Sequence, residues 1–319
     1  MKKSFYSFLF LLIIFSTTFF AQTQNKERFV AVTFDDLPFV NHTVYSPQQQ
    51  SERTEKLLNI FTNYKIPVVG FVNEYKLFIN DTLKEERLSV LKQWSDNGFE
   101  LGNHTFSHRS LNRISIEEYQ EDILKGEKFT KELLSETGKT LRYFRYPFLQ
   151  KGNEEIKKTT IEKFLKEQNY INAPVTIDNS EWVFARAYDV AIQENDSAKM
   201  KKLGEKYIEY MTTVFEYFEK QSEFLFNREI KQVLLLHANA INSDYFDDLC
   251  EMMLNRNYKF ISLEEALKDP IYEKEENYIG NWGFSWINRW ALTDGKGKDF
   301  YKDEPEPEDE IFKLAGIEN

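Results

Sequence analysis

The 319-residue chain has one cysteine, Cys250, so no internal disulfide can staple it. Cys250 falls in a helical pattern, which reads as a core position and not as a reactive thiol. Positive charge is in deficit: 41 Lys and Arg face 52 Asp and Glu, a net charge of −11. That balance argues against nucleic acid or an anionic membrane as the main partner. No G-x-G-x-x-G follows a strand pattern, so a dinucleotide cofactor is disfavoured. No internal repeat is visible. No apolar run reaches the roughly 20 residues that span a bilayer comfortably. The closest approach, Phe8 to Phe20, follows Lys2 and Lys3 and precedes the small residue Ala21. A basic, apolar, then small order predicts a secretory signal peptide over residues 1–21, with an uncleaved N-terminal anchor as the alternative. No cysteine stands beside Ala21, which excludes lipid attachment there.

What is present is enough apolar material for a sizeable core: 41% hydrophobic and 16% aromatic residues. From residue 28, short apolar runs alternate with helical patterns. Strand patterns fall at 28–34, 66–72, 99–104, 141–147, 170–177, 232–238 and 258–263. Between them, Ser46-Pro47 opens a helix carrying Leu57, Leu58 and Phe61 on one face. A second helix ends at Gly98. Ser115 and Glu118 form a capping box for a helix running to about Thr137. Further helices are predicted over 153–168, about 198–227 and 243–255, then a short one from Ser262 that Pro270 stops. Strands rich in Val, Ile, Leu and Phe, alternating with helices, predict a parallel sheet covered by helices. About seven such units predict an α/β fold closed or nearly closed into a barrel, with a doubly wound open sheet as the alternative. Residues 271–319 break the pattern. They carry Trp282, Trp286 and Trp290 and then the acidic stretch KDEPEPEDE, which reads as a packed aromatic appendage with a solvated tail. The expected division is a main domain over 28–268 and an extension over 269–319.

In parallel barrels, functional groups stand at the carboxyl ends of the strands. The first strand ends in Asp35-Asp36. The third ends in GNHTFSH, with His104 and His108. The fourth ends in RYPF, with Arg145 and Pro147. The fifth ends in DNSEW, with Asp178, Glu181 and Trp182. The sixth ends in LLLHAN, with His237. Three of the four histidines fall on these ends, and His42 lies just past the Asp pair. Each feature alone has an ordinary structural explanation, such as a solvated turn, a surface ion pair or a hydrogen-bonded core histidine. Their convergence does not.

Two adjacent carboxylates at the end of a buried strand need a positive partner. One aspartate oxygen and two imidazole nitrogens make a three-ligand set that leaves room for water, the pattern of a catalytic zinc site. Co²⁺, Ni²⁺ and Fe²⁺ suit the same donors. The other aspartate is free to act as a base on metal-activated water, and His237 to protonate a leaving group.

TFDD, HTFSH, RYP, DNSEW and LLLH occur in the order and approximate spacing of the five motifs of polysaccharide deacetylases. These are the carbohydrate esterases of family 4, of the NodB-homology type, and residues 28–265 resemble them. The resemblance implies a distorted (β/α)7 barrel of parallel strands. It implies Asp35 as general base and Asp36, His104 and His108 as ligands to one divalent metal, zinc first, with cobalt or nickel as alternatives. Arg145 resembles the residue that orients Asp35, and His237 the general acid. Glu181 stands where the family usually has an aspartate paired with that histidine. Pro147 belongs to the groove wall, the Phe148 N–H to the oxyanion site, and Trp182 and Leu235 to the pocket for the acetyl methyl. Two departures stand out: Leu149 occupies the place of a family glycine, with Gly152 coming later, and Glu181 is one methylene longer than Asp. The stretch 183–230 and the extension are expected to overhang the site.

The implied protein is an exported, metal-dependent hydrolase of the periplasm, outer envelope or exterior. It would remove acetyl groups from an N- or O-acetylated glycan such as peptidoglycan, a chitooligosaccharide or an acetylated polysaccharide. It is expected to act as a monomer, with no nucleic-acid partner and no membrane contact beyond the signal segment. The alternatives are hydrolysis of another non-peptide C–N bond on the same fold, and a non-catalytic glycan-binding protein using the three C-terminal tryptophans.

Overall fold

The computed structural model describes residues 27–317; the signal segment expected over 1–21 lies outside the described residues. The chain opens on β1 (Arg28–Leu37). Ser46 then caps α1 (Pro47–Tyr64), accepting from the Gln49 N–H while the Gln49 side chain reaches back to the Ser46 N–H. β2 (Val69–Val72) leads to a small hairpin, β3 (Phe78–Ile79) and β4 (Thr82–Leu83), which the apolar pattern did not signal. There follow α2 (Glu85–Asp96), β5 (Glu100–Asn103), α3 (Ile116–Lys125), α4 (Lys128–Glu136) and β6 (Tyr143–Phe144). Next come α5 (Glu155–Glu167), β7 (Ile171–Asn172), α6 (Glu181–Gln193) and α7 (Ser197–Phe226). β8 (Gln232–His237), α8 (Ala240–Asn255), β9 (Tyr258–Phe260) and α9 (Leu263–Ala266) complete the main body. The extension adds α10 (Trp286–Thr293) and α11 (Asp309–Leu314).

Seven strands form one sheet in the order β7-β6-β5-β2-β1-β8, with β9 also pairing β1. Every pairing in it is parallel. Beyond β7 the chain crosses to the other edge. The Ile177 N–H donates to the Val233 carbonyl at 3.0 Å, and the Leu235 N–H to the Ile177 carbonyl at 3.2 Å. The run from 171 to 177 therefore touches β6 at its start and β8 at its end. This rolls the sheet into a distorted, nearly closed barrel, and the open doubly wound alternative does not occur.

Three helices differ from the sequence reading. The helix expected over 115–137 breaks at Gly126, where a Cβ would stand 2.6 Å from the Phe106 backbone nitrogen. The break lets α3 press against the loop carrying His104 and His108. Ahead of α7, which matches the helix expected over about 198–227, stands one that was not expected, α6, with Asn195 turning the chain between them in the left-handed region at φ 53°. α8 begins earlier than expected, because the Asn239 side chain caps it by accepting from the Asn242 N–H.

Aromatic packing holds the helices on β1. Phe34 and Phe61 have ring centroids 5.1 Å apart, and Phe246 meets Phe61 edge-on at 5.3 Å. All three are fully buried, each stabilising the fold by about 1.5–3 kcal/mol. In the extension, Trp286 and Trp290 are buried, whereas Trp282 is 72% exposed. The acidic tail does not hang free in solvent. Ile311 and Ala315 are buried, and Glu308 and Glu310 pair with Lys206 and Lys202 on α7, each at 2.6 Å. Exposed pairs of this kind contribute about 0–1 kcal/mol each, so apolar burial does most of the fastening. Among the described residues, no helix is long and apolar enough to cross a membrane.

Candidate active site

The parallel register of β1 on β8 sets Asp35 opposite His237. The next residue, Asp36, sits in the left-handed region at φ 68°, so the two carboxylates leave the strand in different directions. Each has its own cation. Arg145, fully buried, donates from Nη1 to Asp35 Oδ1 at 3.0 Å and to Thr33 Oγ1 at 2.9 Å. Its Nε donates to the Ala173 carbonyl at 3.1 Å. Lys76, also buried, donates to the Asp36 carbonyl oxygen at 2.7 Å and lies 3.7 Å from its Oδ1. Burial pushes the Asp35 carboxyl up to about 6, with Arg145 and His237 pulling it back down. Burial would raise Asp36 too, but Lys76 first and the protonated His237 with it outweigh burial and hold that carboxyl far below its ordinary range.

Asp36, His104 and His108 each offer one ligand atom, and the three atoms lie within 4.8 Å of one another. His108 Nε2 is 3.6 Å from Asp36 Oδ1, and His104 Nε2 is 4.0 Å from it. Asp36 Oδ1 is buried and has no hydrogen-bond partner. His104 Nδ1 meets the Arg145 carbonyl at 2.8 Å, so it carries the proton and leaves the Nε2 lone pair facing Asp36. Burial pulls both imidazoles below their ordinary pKa, which keeps them neutral and able to ligate. One orphaned carboxylate oxygen facing two imidazole lone pairs is a donor set that fits a divalent cation of the zinc kind.

The His loop is built for this. Asn73 Nδ2 donates to the His104 carbonyl at 2.6 Å. The Phe106 N–H donates to the Asp122 carbonyl on α3 at 2.9 Å, and Ser107 Oγ to the Asp122 carboxylate at 2.6 Å. Thr105 and His108 both take positive φ, 63° and 55°, which curls the loop so that its two histidines face one point.

On the opposite side, His237 Nδ1 lies 2.9 Å from Glu181 Oε2. Glu181 is fully buried at the start of α6. Its other oxygen accepts from Asn242 Nδ2 at 2.6 Å and from Asn239 Nδ2. Burial works against a charged His237, but the Glu181 carboxylate overrides it and raises the imidazole to about 9. The extra methylene of Glu181 is thus absorbed by two asparagines from the cap and first turn of α8.

Asp35, Asp36, His104, His108, Phe148, Trp182, Leu235 and His237 all line one cavity of about 630 Å³. Of the remaining expected site residues, Arg145 lies behind Asp35 and Glu181 behind His237, each fully buried, and Pro147 is a buried part of the wall turn. His42 is not among the lining residues; its ring meets Tyr75 edge-on at 5.8 Å. Phe148 takes φ 56° and Leu149 φ 54°, so Leu149 occupies a left-handed slot of the kind that suits glycine. The same wall carries a glycine from elsewhere: a Cβ on Gly283 would overlap the Phe148 carbonyl oxygen. Gly283, Phe284, Glu304, Pro305 and Glu306 of the extension line the cavity too. The overhang expected of the extension is therefore present on one side. Sequence reasoning missed Lys76, Asn239 and Asn242. The signal for Lys76 was its place just past the carboxyl end of β2, one of the two strand ends left out when the other five were read.

A rolled parallel sheet with its polar groups gathered at the strand carboxyl ends is the architecture of a parallel α/β-barrel enzyme. Residues 22–166 match the family model for polysaccharide deacetylase. Two peptidoglycan-N-acetylglucosamine deacetylases of Bacillus cereus are similar to it. One is 31% identical over 115 residues, covering 36% of this chain and 46% of the relative. The other is 25% identical over 163 residues, covering 51% and 49%. The chain thus spans about half the length of the curated relatives it matches. A solved polysaccharide deacetylase from Bacillus cereus superposes with a TM-score of 0.51 at 14% identity, covering 74% of this chain and 92% of that one. A variant of a carbohydrate esterase family 4 pseudoenzyme from Bacillus anthracis gives 0.50 at 14% identity, covering 76% and 68%. These two likenesses establish the fold; one is to a pseudoenzyme, so the chemistry has to come from the site.

Proposed function

We propose that this protein is an exported, metal-dependent deacetylase of an N-acetylated glycan. The observation that carries the reading is Asp36 Oδ1, buried without a partner and facing two neutral imidazoles, with a second carboxylate beside it. A divalent cation held by Asp36, His104 and His108 would supply an electrophile that polarises an acyl oxygen and acidifies water. Asp35, held by Arg145 and with a pKa near 6, is ionised at neutral pH and takes the proton of the attacking water. The Phe148 N–H stands in the wall as a donor for the oxyanion. His237, protonated at neutral pH and tied to Glu181 through Nδ1, has Nε2 left for the cavity and gives its proton to the leaving amine. Trp182 and Leu235 supply apolar surface for the acetyl methyl.

The names of the two Bacillus cereus relatives favour N-acetylglucosamine in a peptidoglycan-like polymer among the acetylated glycans. Export rests on the pattern of residues 1–21 alone. The test is acetate release from a panel of acetylated glycans, together with metal analysis. We expect about one zinc-like ion per chain and release from N-acetylglucosamine oligomers. Asp35→Asn should abolish release while retaining the ion. Release that survives Asp35→Asn removes the base assignment, and release from none of the panel removes the function.

A further inference from the structure

Three tryptophans stand in the extension, and two of them are core. Trp286 and Trp290 are buried on α10, while Trp282 is left 72% exposed. Its position is not that of a loose loop. Asn112 Nδ2 donates to the Asn281 carbonyl at 3.2 Å and Gln150 Nε2 donates to the same oxygen at 2.9 Å. Asn153 Nδ2 donates to the Asn281 side chain at 2.9 Å. On the other side of Trp282, Gly283 lies against the Phe148 carbonyl so closely that no Cβ would fit. The two neighbours of Trp282 are therefore clamped onto the catalytic wall, and the indole is held out from it. Phe148 is itself 53% exposed, and its ring lies 4.4 Å from that of His108. Phe148 thus joins a proposed metal ligand, through its ring, to the extension, through its carbonyl against Gly283.

Leaving a large apolar ring in water forgoes the stabilisation that burial would give it. An exposed aromatic fixed at the mouth of a polar cavity marks a binding surface. A cavity of about 630 Å³ receives the reacting sugar, and a polymeric glycan must continue past its rim. The CH face of a pyranose is apolar and its edge is hydroxylated, so it suits a flat indole bordered by backbone and amide groups. We infer that Trp282 is the platform on which a glycan chain continues beyond the sugar that loses its acetyl group. The inference rests on the glycan deacetylase reading. It also makes the extension, which lies outside the matched residues 22–166, a determinant of chain-length preference.

The test compares Trp282→Ala and Trp282→Phe with the wild type on N-acetylglucosamine dimers and tetramers. Trp282 is exposed enough that its loss should leave the fold and its unfolding midpoint essentially unchanged. The ratio of tetramer to dimer kcat/KM should fall about tenfold in the alanine variant, mostly through KM, a loss typical of an aromatic anchor. Trp282→Phe should restore most of it. In parallel, indole fluorescence is titrated with tetramer in metal-free protein carrying Trp182→Phe, which removes the indole that lines the cavity and leaves Trp282 as the exposed one among the described residues. That protein should show a change that adding Trp282→Phe removes. An unaltered length ratio in a protein that does release acetate overturns the platform and leaves the function standing. Failure to release acetate from any glycan overturns the function, and the fluorescence titration then decides the platform by itself: a change that survives Trp282→Phe refutes it.

Discussion

Replacing Glu181 by Gln tests the electrostatic account of His237 with little change of shape. The introduced amide keeps one oxygen, which both asparagines already claim: Asn242 Nδ2 at 2.6 Å and Asn239 Nδ2. Its NH2 must then face His237 Nδ1, at present 2.9 Å from a carboxylate oxygen. A donor there requires a lone pair on Nδ1, so the imidazole is driven to the neutral form with its proton on Nε2. The His237 pKa of about 9 should fall below the ordinary value of about 6.5, because burial still disfavours the charge. At pH 7.5 the protonated fraction drops from about 97% to under about 10%, so a step needing the protonated imidazole slows at least tenfold. The side chain is 20% exposed, so the coupling lost is at most about 3 kcal/mol. The sign follows from linkage. A pKa raised above its unfolded value stabilises fully below about pH 6.5, and this is lost as pH rises through about 9. The wild type should therefore lose stability between those pH values, and Glu181→Gln should lose less. Proton NMR of the imidazole C–H signals of metal-free protein gives the pKa directly. A His237 that still titrates near 9 in the variant refutes the reasoning.

Arg145→Met leaves Asp35 buried without its counter-charge. Breaking a buried pair in this way costs about 3–5 kcal/mol, readable by urea unfolding, and a loss under about 1 kcal/mol contradicts the pairing. Lys76→Met removes a positive charge 3.7 Å from the proposed metal-binding oxygen. A divalent ion should then bind about tenfold tighter or more, measured by competition with a chelator, and Lys76→Arg should leave the affinity near that of the wild type. Weaker binding in Lys76→Met would mean that the lysine serves to orient Asp36 and not to offset its charge.

The strands were legible because most are short apolar runs with both faces buried, and all seven that were read pair in the sheet. The site was legible for a related reason: strand ends converge, so Asp35, His104 and His237 could be placed together without knowing any helix. What escaped depended on contacts between elements that sequence order separates. Gly126 breaks a helix because of Phe106 on another loop. Asn239 caps α8, and it also serves Glu181, 58 residues away. The tail looked solvated because its composition is acidic, but alternating Glu with Ile311 and Ala315 lets it bury one side and pair the other. Composition does not reveal which side finds a partner.

Two neighbouring carboxylates at the end of a buried strand invite the expectation that one metal ion makes them tolerable. The structure divides the burden differently. Asp35 is matched by Arg145 from β6's end, and Asp36 by Lys76 from β2's end, before any ion is considered. The backbone at Asp36, at φ 68°, turns the second carboxylate away from the first, so each sees a different cation. Their pKa values then separate: burial dominates at Asp35 and leaves it near 6, whereas the surrounding cations dominate at Asp36 and keep it ionised. A group poised near neutrality can take and return a proton; a group that stays charged can hold a ligand. The proposed assignment of base to Asp35 and metal ligand to Asp36 therefore rests on which buried cation stands beside each, and exchanging those neighbours, not the aspartates, is what would reverse it.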